Sequence, residues 1–490
     1  MGSHTDNSLT PGAIPIFGWD TIELSRRPAP PCILNSRGSP SIPPCKESVR
    51  SMARIYPFRA WRYNPSVVRI DDVVTQPYDK ISPAMQQAYY DRSPYNLVRV
   101  ILGKAEEGDS PAGPNVYSRA AETLKKWQQE QVLLQEETPV VFAYAQRFTV
   151  PGSSVIKERR GFIALGKVHD YAEKIVFRHE QTLSKPKGDR LNLLKATHAH
   201  FGQIFMLYSD PISAIEKLIF DDAKPADVAV TDEYDVLHRI WKISDPAVIK
   251  QLAAAMDEKK LIIADGHHRY ETALNYSKEH APASKPAADP NALPQPDYPE
   301  EAVMMTFVNM DSDGLVVLPT HRVVHSLEGF DGAGFAAKAA EFFDVTKLEK
   351  GDAVSYMKLL GEQKTQAFVA VTAKGDFLLS SKAESITPLL AALPEHQRQL
   401  DLSHLHTVIL DRLLGLDAEK VREQTNIRYL RSAEKAVEQA RTGEADITFL
   451  TNPVTMEQLK DVAFAGEVMP QKSTDFFPKL LTGIAIYALD

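Results

Sequence analysis

From Thr138 onward, apolar and polar positions alternate in short blocks that switch quickly between strand-like and helix-like spacing. Residues 140–148 and 160–168 read as strands, and Pro151-Gly152 between them supplies the chemistry of a tight turn, so the pair predicts a hairpin. A third short strand over 174–177 runs into His179-Glu180. Helical spacing over 189–199, a strand over 203–208 and a helix over 246–256 follow, the last with Val248, Leu252, Ala255 and Met256 as its apolar positions. The decisive unit comes after them. Leu261-Ile262-Ile263-Ala264 is a continuous apolar run of the buried-strand type; it stops at Asp265-Gly266, and residues 270–276 then take helical spacing.

Residues 281–300, rich in Ala, Pro, Asp and Asn, predict a loop or linker. A hairpin is expected after it, from a strand over 303–309 through Asp311-Ser312-Asp313-Gly314 to a strand over 315–318. Beyond about residue 330 the pattern reads helix, hairpin (367–371 and 377–379 around Lys374-Gly375-Asp376), helix (403–414), strand, helix, strand (446–450), helix, with no internal repeat. The blocks together predict an α/β (α+β) protein with a core over 52–320 and a second C-terminal α/β region over 321–490. The first 51 residues differ: Pro, Ser, Gly, Asn and Arg dominate, with no apolar periodicity beyond the short Ile14-Pro15-Ile16-Phe17 patch, too little to offset the entropy of ordering. They are expected to be a disordered or non-native extension.

Composition acts mainly by exclusion. A formal net charge of −8 argues against broad electrostatic capture of nucleic acid, which needs clustered Lys and Arg to displace counterions. The two cysteines, Cys32 and Cys45, both lie in the N-terminal stretch, so neither a disulfide framework nor a cysteine metal site is expected to support the fold, and the compartment reads as reducing. No run of about 18 apolar residues occurs, and no charged start precedes an apolar core, so a cytoplasmic protein without a membrane partner is expected.

Candidate chemistry concentrates at Asp265-Gly266-His267-His268-Arg269. A strand-to-helix turn there would aim the first N–H groups of a helix at one point, and such an N-terminus attracts anions through its unpaired donors and its dipole. Gly266 permits close backbone approach, His267 and His268 are candidates to donate to phosphate or shuttle a proton, and Arg269 offers a planar fork. Asp265 is a candidate to hold Mg2+ or orient a histidine. The plain alternative makes Asp265 an N-cap and the histidines surface residues. His179-Glu180-Gln181-Thr182, followed by Lys185, Lys187, Asp189 and Arg190, gathers unlike charges at a strand end, as a general base beside phosphate-binding cations would; by itself it is more simply a solvated loop before a helix starting at Asp189. Met469-Pro470-Gln471-Lys472-Ser473-Thr474 offers phosphate contacts without the glycines of a P-loop and by residue type alone is more simply a structural loop; Pro319-Thr320-His321-Arg322 is ambiguous in the same way. No His-Glu-x-x-His spacing or Cys pair marks a zinc site.

Several of these segments occur together in one family. Trp61-Arg62-Tyr63-Asn64-Pro65, Pro77-Tyr78-Asp79, Arg178-His179-Glu180-Gln181-Thr182, residues 264–270, Pro319-Thr320-His321-Arg322, and 469–474 followed by Phe477-Pro478-Lys479 resemble the widespread bacterial family called domain of unknown function 1015, from about Ala53 to the C-terminus. Asp475 departs from that pattern, which has an aromatic residue there. The Asp265 to Arg269 turn also looks like the signature of the ParB/sulfiredoxin superfamily, whose Gly-x-x-Arg turn binds nucleotide phosphates, and within it is closest to the free serine kinases, which convert L-serine to O-phosphoserine.

The resemblance implies a mixed-sheet nucleotide-binding core and a phosphotransferase with an alcohol group as acceptor, using ATP, ADP or pyrophosphate with Mg2+. Gly266, His267, His268 and Arg269 would hold the phosphates, and Glu180 would match the glutamate that deprotonates the serine hydroxyl, with His267 and Asp265 as catalytic partners. Lys185, Arg190, Lys472, Ser473 and Thr474 are further candidates for donor contacts, and His179, Thr182, His321 and Arg322 for substrate contacts. Three other classes share part of the pattern. A ParB-like nucleotide switch or DNA-associated protein should add a helix-turn-helix and a basic face, and no convincing one is found. A sulfiredoxin-like reductase needs a cysteine in the turn, where His267 and His268 stand. A nonenzymatic scaffold would not respond to nucleotide. A small-molecule kinase acting on L-serine, without nucleic acid, is the expectation the residues favour.

Overall fold

A computed structural model describes residues 53–111, 113–181, 184–284, 289 and 292–489, the side chains of 184–186 excepted. The N-terminal stretch with Cys32 and Cys45 lies outside the described residues. From Ala53 the described residues form one compact unit of mixed α/β architecture.

The larger sheet has nine strands. Its path runs Val176–Phe177, Leu261–Asp265, Ile204–Tyr208, Ala302–Asn309, Ile156–Lys167, Val141–Thr149, Leu237–Ile243 and Val228–Thr231, with Ile55–Tyr56 also paired to Ile156–Lys167. Leu261–Asp265 runs parallel to Val176–Phe177, and Ala302–Asn309 parallel to Ile204–Tyr208; the other pairings are antiparallel. Both faces are covered. Ile262 and Ala264 pack with Phe205, Leu207 and Met304, whereas Leu261 and Ile263 pack with Met206, Met305 and Phe307 in a separate cluster. The two-residue pleat sends successive side chains to opposite faces, which is why this strand is apolar at every position from 261 to 264. Each fully buried Ile contributes roughly 1.5–3 kcal/mol of transfer free energy.

The expected hairpin is present, with Phe142 opposite Ile163 and Gly152 at φ +76°. The helix Pro246–Met256 begins at Asp245, whose side chain accepts from the Ala247 N–H, and buries Ile249, Leu252 and Met256. Two other expectations fail for physical reasons. The strand Ala302–Asn309 forms no hairpin with the segment after it, because both its edges are already taken by Ile156–Lys167 and Ile204–Tyr208. Val316–Leu318 pairs instead with Asp475–Phe477, from the far end of the chain. The helix expected from Asp189 runs Ser184–Thr197, and Asp189 lies inside it, accepting from the Tyr117 hydroxyl at 2.8 Å.

The second region holds an antiparallel six-stranded sheet in the order Phe343–Leu348, Asp376–Ser381, Ala367–Val371, Ile447–Leu450, His321–Val324, Ile427–Leu430. The helix expected over 403–414 begins as Asp401–His404 and widens into a π-helix over Leu405–Leu413. Among the described residues no helix is long and apolar enough to cross a membrane.

The last residues return to the first region. Thr75 and Thr482 exchange backbone hydrogen bonds of 3.0 and 2.8 Å, and Tyr487–Ala488 pairs with Ala199–His200. Buried Arg159 pins this strap. Its guanidinium donates to Gln146 Oε1 at 3.1 Å and to the carbonyls of Phe477 at 3.3 Å and Pro478 at 2.5 Å, and lies 4.6 Å above the Phe205 ring. Burial pulls its pKa down to about 9. Arg159→Met keeps the bulk but leaves two strap carbonyls without their donor, and is expected to cost about 3 kcal/mol in urea unfolding. A loss below about 1 kcal/mol, the worth of one ordinary hydrogen bond, would remove this anchoring role.

Candidate functional site

The strand Leu261–Asp265 ends at Gly266, whose φ of +95° turns the chain straight into the helix His267–His280. A Cβ at Gly266 would stand 3.0 Å from Arg269 Nε and Nη2, so both backbone conformation and space favour glycine. The Tyr270 N–H donates to the Gly266 carbonyl at 2.9 Å, and no side chain caps the helix. Its N-cap is Gly266, which overturns the reading of Asp265 as a capping residue. The N–H groups of the first turn and the positive end of the helix dipole stand at the cleft.

Asp265 belongs to a chain of ion pairs. Arg269 Nη2 donates to its Oδ2 at 2.9 Å and Lys479 Nζ to its Oδ1 at 3.3 Å. Lys479 also lies 3.1 Å from Asp475 Oδ1, and Arg431 grips Asp475 through Nε and Nη2, the latter at 2.8 Å. Burial opposes ionisation of Asp265, but Lys479, Arg269 and Lys80 outweigh it and hold the carboxyl far below its ordinary range. Burial likewise works against the Lys479 ammonium, and Asp265 with Asp475 outweighs it. Asp475 is therefore a counter-ion to Lys479 and Arg431.

Glu180 contrasts with Asp265. Among the described residues its carboxylate makes no hydrogen bond or ion pair. Burial raises its pKa, opposed by Lys472. Two carboxylates in one cleft are thus driven in opposite directions. Behind them His179 is fully buried; a 2.8 Å hydrogen bond joins its Nε2 to Thr474 Oγ1, and its ring lies 4.8 Å from that of His267 at 80°. Burial lowers both pKa values, that of His179 to about 4.

The cleft comprises two adjoining cavities of about 600 and 240 Å³, which share Asp79, Glu180, Asp265, His267, Gln424 and Lys472. The smaller adds Gly266, His268 and Arg269; the larger adds Lys80, Thr474, Asp475 and Lys479. Of the residues singled out in the sequence, Glu180, Asp265, Gly266, His267, His268, Arg269, Lys472 and Thr474 thus meet at one place. Ser473 is turned inward, its hydroxyl donating to the Pro470 carbonyl at 2.5 Å. Arg190 faces a separate slot beyond Arg269, 4.0 Å above the Tyr78 ring, and donates to Asp189 at 2.9 Å. His321 and Arg322 do not line the cleft, because their strand is interior to the six-stranded sheet. His321 Nδ1 accepts from the Thr451 N–H at 3.3 Å, and Arg322 donates to the carbonyls of Gln471 and Lys472 at 3.3 and 3.1 Å, shaping the loop that presents Lys472. Thr182 and the side chain of Lys185 lie outside the described residues.

Asp79, Lys80, Arg431, Asp475 and Lys479 are cleft residues that sequence reasoning missed. Pro77-Tyr78-Asp79 and Phe477-Pro478-Lys479 are visible as motifs, but turn chemistry alone accounts for them; only their joint occurrence in the family pattern signals a site.

The family model described as "Protein of unknown function (DUF1015)" matches residues 55–403. No curated protein matches the chain. Among solved structures the chain is similar to a mutant free serine kinase in complex with ADP, at 13% identity and TM-score 0.31, over 62% of this chain and 84% of that one. It is also similar to SbnI with C-terminal truncation from Staphylococcus aureus, at 9% identity and TM-score 0.31, over 65% and 85% of the respective chains. A conserved hypothetical protein from Pyrococcus furiosus matches at 14% identity and TM-score 0.28, over 62% and 87%.

The buried histidines set a pH dependence. A ring whose folded pKa is depressed contributes stability that is present above its unfolded value and lost as pH falls through that value toward the folded one. For His179 the window runs from 6.5 down to about 4, and His179→Gln should remove up to about 3 kcal/mol of acid sensitivity across it. Melting temperatures of both proteins between pH 7 and 4 check this, and parallel curves would contradict a buried neutral ring.

Proposed function

This chain belongs to the DUF1015 family, and we propose that it is a small-molecule kinase that transfers a phosphoryl group from ATP, ADP or pyrophosphate to an alcohol, with free L-serine as the first acceptor to test. The observation that carries this reading is the opening of the His267–His280 helix, without a side-chain cap, into the cleft that also holds Glu180. The resemblance of the turn to a nucleotide-phosphate signature supports it.

In this reading the donor's terminal phosphates rest on the first-turn N–H groups beside Lys472. Glu180 takes the proton of the acceptor hydroxyl as its oxygen bonds to phosphorus; the bond to the leaving phosphate breaks, and its electron pair departs with the donor. Asp265 keeps Arg269 and Lys479 in place, and His267 orients without adding charge. Mg2+ prefers one or two carboxylates together with substrate phosphates. Asp79 and Glu180 offer such oxygens at the cleft, whereas both oxygens of Asp265 are engaged by Arg269 and Lys479, so Asp79 rather than Asp265 would hold the ion. When bound, Mg2+ would neutralise charge on the donor phosphates.

A donor at 100 times its dissociation constant should stabilise the wild type by about 2.7 kcal/mol in the presence of Mg2+. Arg269→Ala should lose that shift. Glu180→Gln should keep it and slow O-phosphoserine formation by about 10²- to 10⁴-fold. Absence of any donor-induced shift in the wild type, or full activity in Glu180→Gln, would sink the kinase reading.

A further inference from the structure

The two compartments of the cleft are not equivalent. His268 and Arg269 line only the smaller, Lys80 lines only the larger, and Glu180 lines both. A base that deprotonates a hydroxyl for attack on a phosphoryl group has to stand between donor and acceptor. With donor phosphates on the turn, the acceptor occupies the larger compartment.

Most cations of that compartment are already committed. Lys479 pairs with Asp265 and Asp475, Arg431 with Asp475, and Arg428 with Glu444 at 2.9 Å. Lys80 is half-buried, yet among the described residues its ammonium makes no hydrogen bond or ion pair. Burial first and Lys479 second lower its pKa, a penalty that a bound anion would relieve. The backbone beneath it is fixed. The Lys80 N–H donates to the Pro77 carbonyl at 2.8 Å, Gln76 Nε2 to Asp232 Oδ2 at 2.9 Å, and Tyr78 lies under Arg190. The amine is therefore carried by a braced turn, and the compartment of about 600 Å³ is within the range of pockets that enclose drug-sized ligands.

We propose that Lys80 reads an anionic group on the acceptor, so that the substrate is an alcohol bearing a carboxylate or a phosphate monoester, up to the size of a sugar phosphate. This rests on the kinase reading. The test uses the full chain as wild type, Lys80→Met and Lys80→Arg, with Mg2+ and the best donor. Acceptors are offered in matched pairs, L-serine against ethanolamine and glycerate against glycerol, with glycerol 3-phosphate to separate phosphate from carboxylate. Phosphoryl transfer and acceptor-induced melting shifts are both followed. Anionic members should be preferred, and Lys80→Met should raise their KM about 10- to 100-fold, with a far smaller effect on kcat, on neutral acceptors and on the donor-induced shift. Lys80→Arg should recover part of the loss. Equal use of neutral and anionic acceptors, or an equal effect of Lys80→Met on both, would overturn the role of Lys80. A donor-induced shift with no anionic acceptor either phosphorylated or stabilising overturns it too, while leaving the donor site standing. No donor-induced shift in the wild type overturns the kinase reading and this inference together.

Discussion

Asp265 stays ionised inside the protein because Arg269 holds one of its oxygens and Lys479 the other, and the rest of the site depends on that double contact. A buried carboxylate is tolerated only when its charge is matched and its lone pairs are satisfied. Here the matching partners come from opposite ends of the chemistry: Arg269 from the helix that follows Asp265, Lys479 from the strap that closes the chain. The pairing runs on through Asp475 to Arg431 at the end of the strand Ile427–Leu430. One run of alternating charges thus ties together the Gly266 turn, the C-terminal strap and the second sheet. Each carboxylate keeps one partner if a single cation is removed, whereas removing Asp265 strips Arg269 of its counter-ion and leaves Lys479 with Asp475 alone, a destabilising change.

The same chain of charges explains how two carboxylates in one cleft come to differ. Asp265 is surrounded by committed cations, and its proton affinity is far below normal. Glu180 has Lys472, Lys479 and Lys80 within electrostatic reach but bonds none of them, and burial dominates. Glycine completes the arrangement at two points. Arg269 lies over Gly266 and against Gly202, where an added Cβ would come within 2.8 Å of its Nη1. Side chains at either position would push the guanidinium off Asp265.

Local pattern made part of this legible. The all-apolar run at 261–264 requires a strand covered on both faces, and the clusters on its two sides supply that cover. Asp265 to Arg269 stand out because a polar, glycine-containing turn directly follows a buried strand, whereas Glu180, Lys472 and Thr474 read locally as plain loops and become candidates only through the motifs they share with the family. What local pattern could not carry was long-range pairing. Nothing near Val316–Leu318 announces Asp475–Phe477 as its partner, and nothing near Lys479 announces Asp265. His321 and Arg322 misled for a related reason. Their polarity suggests a surface loop, yet they lie on an interior strand, where the two terminal nitrogens of Arg322 donate to backbone carbonyls.

The most direct measurement is a crystal structure of the chain with ADP and Mg2+ bound. Phosphate oxygens are expected within hydrogen-bond distance of the backbone N–H groups at the start of the His267–His280 helix, with Glu180 facing the open side and Asp265 still paired to Lys479. Nucleotide bound away from that turn, or Asp265 released from Lys479 to take the metal, would contradict this reading.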